Sequence, residues 1–203
     1  MKFGLVVLGA HIGVHIRDDI LKQNNKPSLL VEPVPHNIEE IKINLKDIQN
    51  IIIEPIAISN KNETKKFYYV KHDSIGKLGK HWASGIGSFD KNHILNHRSK
   101  RFKIEDVDIE TVDIECKKFN ELVKKHEIEE IDKMIIDIEG SEYDILEDLD
   151  LNQIKISEIL FEYKHFDGHF KTGKKLEKIL NKFEKNNYKT SKIDQENILA
   201  IKI

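Results

Sequence analysis

The chain lacks a cysteine pair, a long apolar run and an excess of charge, and each absence narrows what it does. Cys116 is the one cysteine in 203 residues. No internal disulfide can form, and a reducing cytoplasm is the expected setting. No apolar stretch approaches the roughly 20 residues that a membrane-spanning helix needs, which argues against stable membrane insertion. Lys and Arg number 33 against 35 Asp and Glu, a net charge of −2. That balance supplies no general field for nucleic acid or an anionic membrane surface. No targeting segment is expected, because the short apolar start runs into Gly9-Ala10-His11-Ile12-Gly13 rather than a small-residue cleavage site. No repeat or linker divides the chain, and a hydrophobic share of 39% suits one domain, 1–203, with a sizeable core.

The apolar pattern predicts an α/β protein. Phe3–Leu8, Leu29–Val31, Met134–Ile138 and Ile156–Phe161 read as strands buried on both faces. Ile51–Ile58 reads as another, interrupted at Glu54-Pro55. Helical spacing marks Val14–Gln23, a helix starting at Pro35 with Ile38, Ile41 and Leu45 on one face, another through Phe119, Leu122 and Val123, then Tyr143–Leu149 and Thr172–Asn186. Strands alternating with helices imply a parallel sheet with right-handed crossovers. Thr64–Val70 and Phe102–Val112 alternate as strands, and Tyr188–Ile193 with Ile198–Ile203 closes the chain as an antiparallel pair. Residues 71–100 show no sustained period and read as a long loop insertion, a length usually functional or disordered.

Four groups of residues carry candidate chemistry. Gly9-Ala10-His11-Ile12-Gly13 lies between the first strand and its helix, where glycines permit a tight turn and a helix start offers free N–H groups; an ordinary turn would need the glycines too. The G-x-G-x-x-G dinucleotide fingerprint is absent. Glu32 ends the second strand, where an acid can accept hydrogen bonds from both hydroxyls of a ribose or sit solvated at a strand end. Asp137-Ile138-Glu139-Gly140-Ser141-Glu142 brings acids to the C-terminal end of a buried strand, the edge at which open α/β sheets bind ligands. Asp137 is the functional candidate, Glu139 belongs to the site or the turn, and Glu142 can be an acid favoured at a helix start. Asp137 and Glu139 could hold a hard divalent cation, though no metal is required by this spacing. Glu162 and His165 end the fifth strand at the same edge, where an imidazole can take a proton from a substrate hydroxyl. His72, His81, His93 and His97 show no metal-ligand spacing and read as scattered solvated histidines.

From Leu8 to about His165 the ordered set of segments resembles the FkbM family of S-adenosylmethionine-dependent methyltransferases. The segments are Gly9 to Gly13, Leu30-Val31-Glu32-Pro33 with Asn37 and Asn44, Ala57-Ile58-Ser59-Asn60, Ser84-Gly85-Ile86-Gly87-Ser88, the acidic stretch from Asp137, and Ile159-Leu160-Phe161-Glu162. The resemblance implies a three-layer Rossmann-like methyltransferase fold: a mostly parallel seven-stranded sheet with an antiparallel C-terminal strand. It implies S-adenosyl-L-methionine as cofactor, with Gly9, Ala10, His11 and Gly13 facing its methionine part, Glu32 and Pro33 at the ribose, and Ala57, Ile58 and Ser59 near the adenine. It also implies transfer to a hydroxyl of a sugar, lipid or secondary metabolite. The chain differs from the family pattern at Val7, where an acid normally helps to hold the charged methionine end, and at His11, where asparagine is usual.

These readings converge on methyl transfer. Asp137, which also borders the expected cofactor, or His165 receives the acceptor proton, with Glu162 beside them, and 71–100 folds over the acceptor. The alternatives are a non-catalytic methyltransferase-like binding domain, which Val7 favours, and a nicotinamide-dependent oxidoreductase.

Overall fold

The computed structural model describes residues 1–79, 81–96, 98–99, 102–138, 140–168 and 170–203, with the backbone alone at 81, 82, 98, 99 and 102. The first half runs β1 (Lys2–Leu8), α1 (Arg17–Leu21), β2 (Ser28–Val31), α2 (Pro35–Asn44), β3 (Ile51–Glu54), β4 (Ala57–Ile58), β5 (Glu63–Val70), α3 (His72–Leu78), a 3-10 turn at His81–Gly85, β6 (Gly87–Ser88) and α4 (Lys91–Asn96). The second half runs β7 (Arg98–Ser99), β8 (Phe102–Lys103), β9 (Ile109–Lys117), α5 (Phe119–Lys125), β10 (Glu130–Ile136), α6 (Glu142–Asp148), β11 (Lys155–Glu162), α7 (Lys174–Lys185), β12 (Tyr188–Lys192) and β13 (Asn197–Lys202).

Seven strands form the main sheet in the order β12-β13-β11-β10-β1-β2-β3. Strands β1, β2, β3, β10 and β11 run parallel, while β13 pairs antiparallel with both β11 and β12. The expected sheet and its antiparallel last strand are therefore present. Alternate side chains of one strand enter different cores, as a pleated sheet requires. Val6, Leu8, Met134 and Ile136 join Phe119, Leu122, Ile145, Leu146, Leu176, Ile179 and Phe183 of α5, α6 and α7. Leu5, Val7 and Ile135 join Ile16, Ile20, Ile41 and Leu45 from α2 and around α1. Helices on both faces of one sheet make three layers.

A smaller sheet, β4-β9-β5-β6, stands beside the main one. Three expectations change here. The Ile51–Ile58 strand is two strands: Pro55 has no N–H to continue a ladder, so β3 ends in the main sheet and β4 pairs with β9 instead. The strand expected over Phe102–Val112 is split: β8 pairs with β7, and β9 begins only at Ile109, because Asp106–Asp108 turns as a 3-10 helix closed by reciprocal Glu105 and Asp108 hydrogen bonds. Within 71–100 the described residues include α3, α4 and β6, and Val70, Ala83, Ile86, Ile94, Ile104 and Ile109 form a small core of their own. The first helix is also shorter than Val14–Gln23, because the turn after β1 extends to Ile16. Among the described residues no helix is long and apolar enough to cross a membrane.

Candidate active site

Strand register assembles the site. Leu8 is level with Val31 on one side and Ile136 on the other, and Ile136 is level with Phe161. The next residues along the parallel strands are Gly9, Glu32, Asp137 and Glu162, one rung at the C-terminal edge. The rung lies where strand order reverses about β1, the crevice in which doubly wound sheets bind ligands.

Glu32 is the most constrained member. It is 4% exposed, and burial raises its pKa from the ordinary 4.5 to about 7, against the lowering effect of the groups that bond it. Its Oε1 accepts the Val34 N–H at 3.0 Å and the Asn37 amide at 3.1 Å, and its Oε2 accepts the His11 N–H at 2.9 Å. A carboxylate has about four acceptor positions, so one remains on this residue of the cleft lining. The same Asn37 amide donates to the Ser84 carbonyl at 3.1 Å, and His11 Nε2 lies 2.5 Å from Ser84 Oγ. His11 and Asn37 thus tie the β2 tip to the 3-10 turn at His81–Gly85. Asn44 donates to the Ile12 carbonyl at 2.9 Å and fastens α2 to the same turn after β1.

That turn offers fewer free N–H groups than the sequence suggested. Gly9 and Ala10 both donate to the Val31 carbonyl at 3.0 Å, and Gly13 donates to Ala10 at 3.0 Å. Gly9 has φ +89°, and a Cβ there would stand 1.7 Å from the Asp137 carbonyl oxygen. Only glycine fits this approach of β1 to β10. Gly13, at φ +79°, packs against Leu45 rather than the cleft, and Ala10 is fully buried in the core shared with α2. Val7 is fully buried in that core too, so the position of the family's usual acid points into apolar packing in this chain.

A cleft of about 800 Å³ runs along the edge. Gly9, His11, Glu32 and Pro33 line it with Ala57 and Ile58, and so do Asp137 and His165. Ser59 borders a separate small pocket with Asn60 and Asp144. Glu162, 4% exposed, lies behind the lining: its Oε1 is 2.5 Å from Lys164 Nζ and its Oε2 is 3.8 Å from His165 Nε2. Oxygens of Asp137, Glu142 and Glu162 lie within 4.8 Å of one another. This is the convergent acidic group; Glu139, the other candidate for a cation, lies outside the described residues. The Glu142 carboxylate accepts the N–H groups of Ile138 at 2.9 Å and Gly140 at 3.0 Å. It closes the turn after Asp137 rather than merely favouring the helix dipole.

Sequence reading missed three parts of the lining. Lys65 and Phe67 of β5 and Phe89 line the cleft; the Phe67 and Phe89 rings meet edge to face at 5.1 Å, with Lys65 Nζ 4.8 Å from the Phe89 centroid. His93, a scattered solvated histidine by its spacing, also lines it and stands 6.1 Å from His165, ring centre to ring centre. Asn37 carried a signal in its spacing from Glu32; His93 carried none, because only the tertiary fold brings α4 to the β11 tip.

The methyltransferase FkbM domain profile matches residues 8–190, and the chain belongs to that family. It is therefore a methyltransferase of the Rossmann-like class, and the nicotinamide-dependent alternative is left without support. No curated protein matches the sequence. Among solved structures, the chain is similar to a precorrin-6y C5,15-methyltransferase from Geobacter metallireducens at 12% identity, with 100% of this chain and 83% of that one covered and a TM-score of 0.45. It is similar to Aeropyrum pernix fibrillarin, solved with natively bound S-adenosyl-L-methionine, at 10% identity over 98% of this chain and 66% of that one, TM-score 0.46. A Methanococcus jannaschii fibrillarin gives 10% identity, the same coverages and 0.49.

Proposed function

We propose that the chain transfers a methyl group from S-adenosyl-L-methionine to a hydroxyl of a small molecule, glycan or lipid. The observation that carries this reading is the single cleft joining Glu32 and Gly9 to Asp137 and His165. The residues present fit such a cofactor. Glu32 is a buried acid of the cleft lining with one acceptor position left. Asn37 is 2% exposed and lines it, and its Oδ1 has no partner among the described residues. A buried acceptor without a donor is costly, and ribose hydroxyls are donors.

In this reading Glu32 and Asn37 hold the ribose, Pro33, Ala57 and Ile58 wall the adenine, and Gly9 and His11 meet the methionine part. When bound, the cofactor supplies an electrophilic methyl group on a sulfonium. Asp137 and His165 at the far end receive the acceptor's proton, and Glu162 orients His165. Holding the acceptor oxygen in line supplies much of the rate in such a displacement. Residues 1–203 act as one domain in the cytoplasm, for which the buried thiol of Cys116 is suited.

The test is incubation with methyl-tritiated S-adenosyl-L-methionine and hydroxyl-bearing fractions of the producing cells. Label recovered as a methyl ether supports the reading. Cofactor binding with no label in any fraction supports the non-catalytic alternative.

A further inference from the structure

We propose that Asn37 is a positioning residue that links a ribose hydroxyl of the cofactor to the acceptor half of the cleft, so that a bound cofactor sets the wall the acceptor meets. This rests on reading the cleft as a methyl-transfer site, and it adds to that reading a coupling between the two ligands.

The neighbours of Asn37 fix which way its amide points. The amide nitrogen carries two hydrogens, and each has an acceptor: Glu32 Oε1 at 3.1 Å and the Ser84 carbonyl at 3.1 Å. A carbonyl has no hydrogen to give, and Glu32 Oε1 already accepts the Val34 N–H at 3.0 Å. A flipped amide would set its oxygen against both. The Oδ1 atom is therefore the end left over. It is buried, it has no partner among the described residues, and its residue lines the cleft. Only a donor satisfies it, and ribose hydroxyls are the donors that this reading brings beside Glu32.

The nitrogen end of the same amide serves the other half of the cleft. Ser84 lies in the 3-10 turn at His81–Gly85, and the chain that follows, Gly85 to Asp90, lines the cleft without a break. That strip leads to His93, 6.1 Å from His165 between ring centres, at the acceptor end. The Asn37 bond hangs the start of the strip on α2, beside the ribose. His11 makes a second tie, with Nε2 at 2.5 Å from Ser84 Oγ, but it meets Glu32 through its backbone N–H rather than its ring. The Asn37 amide is a single conjugated group. A hydroxyl donating to Oδ1 draws charge toward that oxygen and strengthens both N–H donors. It also holds the side chain in one orientation, so the acceptor meets a wall whose ordering cost is already met. By linkage, a bound acceptor tightens the cofactor by the same factor.

Amide exchange at Ile86 reads the coupling, because its N–H is held within the turn by the Ala83 carbonyl at 3.3 Å. Saturating S-adenosyl-L-homocysteine should slow that exchange. Simple cover would slow it too, so the discriminating probes are the 2′-deoxy and 3′-deoxy analogues, which fill the same cleft with one hydroxyl fewer. At saturation, at least one of them should leave Ile86 exchanging at least about fivefold faster than the parent does. In Asn37→Ala the parent and both analogues should act alike. Ser84→Ala removes the hydroxyl beside His11 but keeps the carbonyl that Asn37 bonds, so the difference should remain there. Equal exchange with the parent and both analogues in the unsubstituted protein overturns the proposal, even if Asn37→Ala does not fold. A difference that survives in folded Asn37→Ala overturns it too. Failure of the unsubstituted protein to bind S-adenosyl-L-homocysteine overturns instead the cofactor reading beneath it.

Discussion

If Glu32 takes a ribose hydroxyl, affinity for S-adenosyl-L-homocysteine must rise with pH across neutrality. Burial raises the Glu32 pKa to about 7, whereas a hydroxyl donor favours the ionised form and lowers it in the complex. Binding therefore releases a proton. With a pKa near 7, about one Glu32 in eleven is ionised at pH 6 and about ten in eleven at pH 8, so the dissociation constant should be about tenfold larger at pH 6. Calorimetric titrations in buffers of different ionisation enthalpy measure both the affinity and the proton count. Glu32→Gln should bind weakly at every pH and lose most of the slope. A flat affinity from pH 6 to 8, or a slope that survives in Glu32→Gln, would refute the assignment. The same shift acts on folding. The folded chain holds this proton more tightly than the unfolded one between 4.5 and about 7, so the contribution is complete below 4.5 and is lost as pH rises through 7. Its size is about 3 kcal/mol.

Three further outcomes follow from packing and hydrogen bonding. Gly9→Ala puts a Cβ onto the Asp137 carbonyl at a positive φ and should cost at least about 3 kcal/mol or prevent folding, read by thermal denaturation. Glu142→Ala leaves the Ile138 and Gly140 N–H groups without their carboxylate; about 1–3 kcal/mol of stability should be lost, with faster amide exchange at both residues. Tyr188→Phe removes the donor to the Ile156 carbonyl at 2.6 Å from a buried site, and denaturant titration should show a loss of about 1–2 kcal/mol.

How much of this was legible depended on whether the signal was local. β1, β2, β10 and β11 announce themselves as apolar runs because both faces are buried, and α7 through Leu176, Ile179 and Phe183 at helical spacing. Their order and direction place Gly9, Glu32, Asp137 and Glu162 at one edge, and that much could be read from sequence. The smaller sheet was harder. β5 begins with four exposed residues, Glu63 to Lys66, and its pairing with β9 spans a long loop that no local pattern encodes. The turn after β1 was read for its glycines but not for how they are used: Gly9 serves the approach to β10, whereas Gly13 serves packing against Leu45. His93 is the clearest case of a residue whose place in the cleft exists only in three dimensions.

The most direct measurement is a crystal structure of the chain with S-adenosyl-L-homocysteine. The nucleoside should lie in the cleft with its ribose on Glu32, its adenine against Pro33 and Ile58, and its sulfur toward Asp137 and His165. A ligand bound elsewhere, or no binding at millimolar concentration by folded protein, would contradict the assignment of this edge as the methyl-transfer site.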